Sequence, residues 1–431
     1  MSELSPRGWR ELKFGELCQR IVNGGTPATD NARFWNGHTP WVTGADFTSH
    51  GIGEIRRFVS DAGVRSSATS IVKAGNLLVV TRTGVGKLAI APFDIAISQD
   101  VSGVYVDGDK ADTSFVFYLL SKELEEIKKL NQGTSINGII RADLERHPLR
   151  IPVNKRAQQK IAAILTSLDT TIEKTEALIE KHQQIKAGLM HDLFTRGVLP
   201  NGQLRPPYEQ APELYQRTLL GWLPNEWRVS SCGQTCSIDA GITLGPHRRP
   251  GKRAHPYLRV ANVYRDELRL HDVAMLEALP SEADFVLRKF DLLVVEGHAN
   301  VAQIGRCAMV NGDAEGMLFQ NHLFRLRVLG MRPLFALLWM NSHHVQRYWE
   351  RTCATSSGLN TINRRMLNAV PVFVPSEEEQ TRIVEAVAIS RDRIACEIRR
   401  LDKLNDQKLG LMQDLLTGKV PVKIATQGVP A

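Results

Sequence analysis

Two short strings have the spacing of a catalytic or cofactor motif, and each lacks a residue that the chemistry requires. The first, TRTGVGKL (Thr81 to Leu88), ends in Gly-Lys after an apolar run. A phosphate-binding loop of the type G-x-x-x-x-G-K-[ST] needs glycine at the position of Thr81 and a magnesium-binding hydroxyl at that of Leu88. We therefore predict no nucleotide site at this string.

The second string, RPPY (Arg205 to Tyr208), is similar to the [DN]-P-P-[YFW] motif of adenine methyltransferases. The first residue of that motif accepts a hydrogen bond from the adenine amino group, whereas the guanidinium of Arg205 only donates. The sequence has no glycine-rich turn for a methyl donor upstream of it, and no metalloprotease, serine hydrolase or nuclease motif stands out elsewhere. The sequence therefore favours a binding protein or a scaffold over an enzyme.

The six cysteines fit a protein from a reduced compartment, and Cys232 and Cys236 are predicted to be small core residues. Cys232 and Cys236 form a C-x3-C pair, but no second Cys/His pair lies at the spacing of a zinc site. We expect no metal site. The other cysteines are Cys18, Cys307, Cys353 and Cys396.

Composition indicates a cytosolic protein with an anionic partner. The formal net charge is +8, which favours nucleic acid above other partners. The sequence has no apolar run of about 18 residues, so we predict no transmembrane helix and no membrane partner. The first residues lack the pattern of a signal peptide, and a cytoplasmic location is the default expectation.

The sequence repeats itself at about half its length. GLMHDLFTRGV (Gly188 to Val198) and GLMQDLLTGKV (Gly410 to Val420) are identical at seven of eleven positions, with an offset of 222 residues. Other matched strings are FGELC with CGQTC, NLLVV with DLLVV, and INGIIRADLERHPLRIP with LNTINRRMLNAVPVFVP, in the same order along the chain. We therefore predict two copies of one module.

Each copy is predicted to be a mixed α/β globular part followed by a long helix. Short β-rich runs bounded by Gly, Asn and Asp alternate with helical stretches in the globular parts. Steps of four and three residues from Ile161 and from Ile383 give seven aliphatic residues in ten positions in both copies. This heptad seam predicts two rods of about 50 Å that pack on each other, antiparallel around a pseudo-twofold axis. The alternative is that each helix lies on its own globular part.

The predicted boundaries follow from these patterns. Asn154 and Ser376 are candidate caps of the helices. We predict globular parts at 1–153 and 226–375, long helices at 154–196 and 376–418, a proline-rich linker at 197–225, and a tail at 419–431.

The order and duplication of these strings resemble the specificity subunits of type I restriction–modification systems. Further matching strings are GW (Gly8, Trp9), GELC (Gly15 to Cys18) and GWLPNEWR (Gly221 to Arg228). The openings of the two helices, R-A-Q-Q-K-I (Arg156 to Ile161) and E-E-E-Q-x-x-I (Glu377 to Ile383), match as well. The resemblance covers nearly the whole chain.

The resemblance implies two target-recognition domains that each read one half of a bipartite site on double-stranded DNA, and no catalysis by this chain. It implies two modification subunits that transfer a methyl group from S-adenosylmethionine to adenine N6. Two restriction subunits that use ATP and magnesium would join for cleavage. The competing readings are a coiled-coil scaffold with no DNA role, and the non-catalytic part of a fused methyltransferase or nuclease.

The two copies differ in charge. Residues 8–150 contain 17 basic and 16 acidic residues, whereas residues 226–375 contain 18 and 13. A Gly/Pro-rich basic stretch in the second copy suits phosphate contact, which positions a protein on DNA without reading sequence. Its candidate residues are Arg248, Arg249, Lys252 and Arg253.

Candidate base-reading residues are polar side chains at predicted strand and loop ends, because Arg and Lys suit guanine while Asn and Gln suit adenine. We pair Asp46 with Asn262, Gln99 with Gln320, and Asn137 with Asn360 as equivalent positions. The first-copy candidates are Thr43, Asp46, Arg82, Thr83, Lys87, Gln99, Ser135 and Asn137. The second-copy candidates are Arg259, Asn262, Tyr264, His298, Asn300, Gln320, Asn321, Asn360 and Arg364.

Overall fold

The computed structural model describes residues 8–49, 51–82, 86–130, 141–243, 245, 251, 254–353 and 360–424. The chain divides into two compact units, Met1–Leu178 with Glu397–Ala431, and Ile179–Cys396. Each unit contains one globular part, a part of the first long helix and a part of the second. Unit 1 therefore holds the globular part of the first copy, and unit 2 holds that of the second.

Unit 1 contains twelve strands and the first four helices of the described residues. The strands are β1 (Trp9–Lys13), β2 (Cys18–Asn23), β3 (Thr39–Val42), β4 (Phe47–Thr48), β5 (Gly51–Ile52), β6 (Arg57–Val59), β7 (Ser70–Val72), β8 (Leu77–Val80), β9 (Leu88–Ile90), β10 (Ile95–Ile97), β11 (Val101–Val106) and β12 (Pro148–Pro152). The helices are α1 (Asp61–Arg65), α2 (Thr113–Leu130), α3 (Arg141–Arg146) and the start of α4 (Lys155–Thr195).

Unit 2 contains the remaining described strands and helices. The strands are β13 (Tyr215–Thr218), β14 (Gly221–Pro224), β15 (Arg228–Ser231), β16 (Cys236–Ala240), β17 (Ala254–Leu258), β18 (Val263–Tyr264), β19 (Glu267–Leu268), β20 (Ala274–Glu277), β21 (Leu292–Val295), β22 (Gly297–His298), β23 (Cys307–Met309), β24 (Leu318–Phe319), β25 (Leu323–Val328), β26 (Asn360–Thr361) and β27 (Pro371–Val374). The helices are α5 (Cys232–Thr235), α6 (Pro333–Met340), α7 (His343–Thr352), α8 (Arg364–Asn368) and α9 (Glu377–Leu415), whose last part belongs to unit 1.

The two units share the topology of one sheet and differ in the second, which has four strands, β6-β3-β10-β7, in unit 1 and three, β20-β17-β24, in unit 2. Unit 1 has an antiparallel sheet of order β2-β11-β8-β9, and unit 2 has the matching order β16-β25-β21-β23. The apolar runs LLVV form β8 and β21, and all four residues of each strand are buried. Alternate residues of each strand belong to two different cores, one that includes helices and one made of strand and loop residues. Both faces are therefore buried, so these strands read as continuous apolar runs rather than as an alternating pattern.

A second layer in each unit repeats as well. β3 pairs in parallel with β10, and β17 pairs in parallel with β24. The hairpins β4-β5 and β18-β19 follow them, and the pairs β1-β12 and β15-β27 join the first and last strands of each globular part. The structure confirms the duplicated mixed α/β module.

The long helices pack on each other within each unit. In unit 1, Ile161 and Leu165 of α4 share a core with Leu411 and Leu415 of α9, and Lys408 lies 2.6 Å from Asp169. In unit 2, the end of α4 shares a core with the start of α9 through Leu193, Phe194, Ile383 and Val387. The start of one helix thus meets the end of the other, which makes the pairing antiparallel. The helix cores also include strand residues, so each helix packs on its globular part too.

Matched hydrogen bonds dock the start of each long helix. Gln158 Nε2 donates to Pro152 O (2.8 Å) and its Oε1 accepts from Asp112 N (2.8 Å). Gln380 makes the equivalent bonds to Pro375 O (3.0 Å) and from Arg332 N (2.8 Å). Both glutamines are buried, and each side chain has a donor and an acceptor partner within the fold.

The helices begin where the sequence predicted caps. Asn154 Oδ1 accepts from Arg156 N, and Ser376 Oγ accepts from Glu379 N. No described helix is both long enough and apolar enough to cross a membrane.

The proline-rich segment 197–225, predicted as a linker, packs as part of unit 2. It contains the hairpin β13-β14, and Leu223 and Tyr215 are buried. Tyr208 stacks on Trp222 at a centroid distance of 4.2 Å. Prolines and turns indicated an irregular path, but aromatic and ionic anchors give this segment a fixed structure.

Candidate nucleic-acid interface

Four loops meet at one edge of the sheets in each copy. In unit 1, Gly25 N donates to Ile97 O, Ser98 N to Val42 O, and Thr81 N to Asp100 O. This first-copy edge comprises residues 23–26, 43, 81–82 and 98–100. In unit 2, the second-copy edge comprises residues 240–243, 259, 296–300 and 320–322, and it has the matching bonds. They run from Ile242 N to Phe319 O, from Gln320 N to Leu258 O, and from Glu296 N to His322 O.

These matching bonds correct one predicted equivalence. Because Ser98 and Gln320 both donate to the strand end that precedes the edge, Gln99 is equivalent to Asn321. The sequence pairing of Gln99 with Gln320 was therefore wrong by one residue. A loop of different length upstream shifts the offset, and identical residue types hid the shift.

A glycine in each copy lets the edge strands approach. A Cβ on Gly24 would lie 2.2 Å from the carbonyl oxygens of Ile97 and Ser98. A Cβ on Gly241 would lie 2.2 Å from Phe319 O and 2.4 Å from Gln320 O. Since these are backbone atoms, they cannot move aside without breaking the edge.

Asp46 and Asn262 are occupied within the fold. Asp46 Oδ2 accepts from Thr43 N and from Thr43 Oγ1, both at 2.8 Å, and Arg56 Nε donates to Asp46 Oδ1 at 2.6 Å. Asn262 Oδ1 accepts from Arg259 N at 2.8 Å. Both side chains are buried, and both close a short 3-10 turn. Their equivalence in the two copies reflects this shared turn.

Lys87 has a structural partner set that repeats in the second copy. Its Nζ donates to Phe47 O (2.7 Å) and Gly44 O (3.4 Å). In unit 2, Arg306 donates from Nε to Val263 O (2.6 Å) and from Nη2 to Val260 O (3.1 Å). The sequence analysis did not select Arg306, although the strings GKLA and GRCA carry the signal.

Arg82 and Gln99 are the exposed candidates of the first-copy edge. Gln99 Oε1 accepts from Thr26 Oγ1, which brings the loop after β2 beside the loop before β11. Thr26 was not selected from the sequence, and its place beside Gln99 could not be derived from spacing alone. A guanidinium, an amide and a hydroxyl therefore lie on loops of one edge.

The second-copy edge combines different groups. His298 Nδ1 accepts from Asn300 N at 3.0 Å, and Asn300 Oδ1 accepts from Ala302 N at 2.9 Å. Gln320 Oε1 accepts from Val260 N at 3.3 Å, and Arg259 Nη2 lies 2.8 Å from Asp272 Oδ2. Asn321 is half-buried beside them.

A histidine–carboxylate contact that the sequence analysis missed lies at the same edge. His322 Nδ1 is 2.6 Å from Glu296 Oε2 and is exposed. Asn360 is buried and donates from Nδ2 to Ala299 O at 3.4 Å, since β26 pairs with β22.

Two further candidates lie outside this edge. Tyr264 is at the tip of the hairpin β18-β19, with the guanidinium of Arg269 3.8 Å from its ring centroid. Arg364 is exposed at the start of α8. The remaining candidates lie outside the described residues: Thr83, Ser135, Asn137, Arg248, Arg249, Lys252 and Arg253.

The C-x3-C pair is buried, as predicted. A hydrogen bond with Cys236, and then burial, raise the pKa of the Cys232 thiol. Among the described residues, no group of three His, Cys, Asp or Glu side chains is arranged to hold a metal ion. The polar edges are thus the places where the described chain presents convergent donors and acceptors.

Comparison with known proteins shows which proteins this chain is similar to. The model of the type I restriction modification DNA specificity domain matches residues 6–184, which is the first copy with most of α4. The MjaVIII specificity subunit of a type I restriction enzyme from Methanocaldococcus jannaschii is 21% identical over 425 residues, which cover 97% of this chain and 94% of that protein. The first copy therefore matches a type I restriction modification DNA specificity domain, and the chain as a whole is similar to type I specificity subunits.

A second specificity subunit and two solved structures are similar to this chain as well. The MjaIX specificity subunit of the same organism is 22% identical over 340 residues, covering 74% of this chain and 75% of that protein. A solved structure from a study of complex assembly in a type I restriction–modification system has a TM-score of 0.61 at 17% identity and covers 97% of this chain and 100% of its own. The structure of an S subunit from M. genitalium has a TM-score of 0.53 at 15% identity, with 96% and 99% covered.

Proposed function

We propose that this chain is the DNA-recognition subunit of a type I restriction–modification complex, and that each copy reads one half of a bipartite site. The observation that carries the proposal is the pair of equivalent edges. Their backbone bonds match, whereas their exposed side chains differ. Two domains that read unlike half-sites need such a common frame with unlike readers.

The described candidates divide into two groups: residues that would contact DNA, and residues of the frame, which are bonded within the fold. We assign base or phosphate contact to Arg82 and Gln99 in the first copy, and to His298, Asn300 and Asn321 in the second. Asp46, Asn262 and Lys87 are bonded within the fold and serve the frame. The basic stretch with Arg248 and Lys252 remains our candidate for phosphate contact, because its charge is higher than that of any stretch at the first-copy edge.

We propose that α4 and α9 act as the spacer of the complex and as the docking surface of two modification subunits. Helices of 41 and 39 residues are about 60 Å long at ~1.5 Å per residue. Half-sites read from one face of DNA lie about 34–36 Å apart. Deleting seven residues from one helix, about two turns, should change the spacer and leave both half-sites unchanged.

The cofactors belong to the partners in this proposal. The modification subunits would bind S-adenosylmethionine and methylate adenine at N6, and two restriction subunits would use ATP and magnesium. The chain itself would bind no cofactor. The complex would act in the cytoplasm, where its DNA substrate lies.

The test is to express this chain with its modification subunits in a host that lacks other methyltransferases, and to map methylated bases by single-molecule sequencing. We expect N6-methyladenine at one bipartite sequence with one spacer. Absence of sequence-specific methylation, together with a gel shift that fails at low salt, would contradict the proposal and favour the scaffold. Methylation by the purified chain alone would contradict it in favour of the fused enzyme.

A further inference from the structure

Arg205, the first residue of the RPPY string, is buried and ionically paired. Its side chain is 5% exposed. Nη1 lies 2.5 Å from Glu379 Oε1, and Nη2 lies 3.1 Å from Glu379 Oε2, so the pairing is bidentate. Nη2 also donates to Glu226, whose carboxylate is exposed. A segment between the two copies is thereby tied to the first turn of α9.

Glu379 also holds the chain where it leaves α4. Its Oε1 accepts from Val198 N at 2.7 Å. Gly197 precedes this residue with a φ of +66°, and a Cβ there would lie 2.1 Å from Glu379 Oε1. The residue after the helix must therefore be glycine for Glu379 to reach the backbone.

Arg205 also bonds to the end of α4, through reciprocal hydrogen bonds with Arg196. Nη1 donates to Arg196 O at 3.1 Å, and Arg196 Nε donates back to Arg205 O at 2.7 Å. We call Arg196, Gly197, Val198, Arg205 and Glu379 the helix clasp. All its members lie in unit 2, and it joins the end of α4 to the start of α9.

The first copy has no acidic residue at the corresponding place. Ala157 is equivalent to Glu379, one residue before the matched Gln158. In unit 1, the start of α4 and the end of α9 share an apolar core that includes Ile161, Leu165 and Leu415. The end of the helix pair in unit 1 is therefore held by apolar packing and by the half-buried ion pair of Lys408 with Asp169, whereas the end in unit 2 also has a fully buried, bidentate ion pair.

The two kinds of contact constrain register differently. Apolar residues that repeat every seven positions can pack in more than one register, because each heptad presents a similar surface. A bidentate ion pair is directional, and a buried one left unpaired is costly, so a shifted register loses it entirely. Its best-attested role in helix pairs is to select one register.

We propose that the helix clasp fixes the register of α4 against α9, and that Arg205 and Glu379 are thereby positioning residues for the spacer of the DNA site. This inference rests on the proposed function. A looser clasp should let the complex accept sites whose half-sites are one base pair closer or farther apart. The half-site sequences should not change, since no clasp residue belongs to either edge.

The experiment uses the whole chain co-expressed with its modification subunits, followed by mapping of methylated adenines. Three variants weaken the clasp by degrees: Arg205→Lys, Glu379→Gln, and the double variant R205M/E379M, which removes both charges and keeps the volume. We expect methylation at sites with the spacer changed by one base pair to rise about tenfold relative to wild type. The matched control is R332M/E377M, an exposed ion pair at the start of the same helix, which should leave the spacer unchanged.

The outcomes separate this inference from the proposed function. If wild type methylates one spacer and all three clasp variants keep it, the clasp serves stability alone and the inference is overturned. Arg205→Lys retains both charges, so it provides a folded variant even if the others unfold. If wild type shows no bipartite methylation, the proposed function itself fails.

Discussion

In the first copy, Lys87 donates to the carbonyl oxygens of Gly44 and Phe47, and in the second, Arg306 donates to those of Val260 and Val263. The residue types differ, whereas the acceptors occupy equivalent positions. At the exposed edges the reverse holds. The backbone bonds are the same, but Gln99 and Asp100 in one copy correspond to Asn321 and His322 in the other.

This difference shows which residues can change after duplication of the module and which cannot. Groups that satisfy buried backbone atoms are constrained by geometry, because an unpaired buried group costs about 1–3 kcal/mol. Exposed side chains at the edge carry no such cost, so they can diverge while the frame remains. A duplicated reader can thereby acquire a second target without rebuilding its fold.

The largest expected effect is the loss of stability when the equivalent glycines Gly24 and Gly241 are replaced. Gly24→Ala and Gly241→Ala should each destabilise its own unit by about 3 kcal/mol, because the new Cβ meets carbonyl oxygens that cannot move. The measurement is urea unfolding of the purified chain. Gly108→Ala and Gly312→Ala have open space and are the matched controls. A neutral Gly241→Ala would show that the second-copy edge is not built as the first.

The helix-docking glutamines should show equal effects in both copies. Gln158→Leu and Gln380→Leu each remove the partner of one backbone N–H and of one backbone carbonyl, which should cost about 2 kcal/mol. The free energy of unfolding measures this cost. The exposed Gln159→Leu should change it by less than about 0.5 kcal/mol. Unequal losses in the free energy of unfolding for the two variants would mean that the glutamine hydrogen bonds stabilise the start of one long helix more than that of the other.

A smaller expected effect is a dependence of stability on pH that arises from two histidines of unit 2. Burial, with His191 nearby, lowers the pKa of His343 to about 4, and burial beside His343 lowers that of His344 to about 3. Both lie below the unfolded value of about 6.5, so the unfolded chain takes up protons first. Stability is fully present above pH 6.5 and falls as the pH drops toward 4.

This loss should be on the order of 1 kcal/mol between pH 7 and pH 6. It is measured as the difference in urea midpoint at the two pH values. His343→Asn should reduce the difference, because one of the two titrating groups is removed. A midpoint that does not depend on pH in wild type would contradict the burial of these rings.

Much of the fold could be predicted from the sequence because it depends on local patterns. The heptads from Ile161 and Ile383 gave both long helices, and the caps Asn154 and Ser376 gave their starts. The repeat gave two copies of one module. The packed segment with Arg205 could not be derived, since its buried partner Glu379 lies 174 residues away.

The candidate edges were predictable only in part. Polar residues near strand ends identified Arg82, Gln99 and Asn300, but the same rule selected Asp46 and Lys87, which bond within the fold. Sequence alone does not show which polar side chain a neighbouring loop satisfies. The sequence rule also passed over Thr26 and His322, whose positions depend on loops brought together by long-range pairing.

The most direct test of the two-reader account changes one edge at a time. Arg82→Ala and the double variant H298A/N300A are each co-expressed with the modification subunits, and methylated adenines are mapped across the genome. We predict that Arg82→Ala relaxes one half-site by about 1–3 kcal/mol at a single position and leaves the other half-site intact, and that H298A/N300A does the converse. Relaxation of both half-sites by either variant, or of neither by both, would contradict the account.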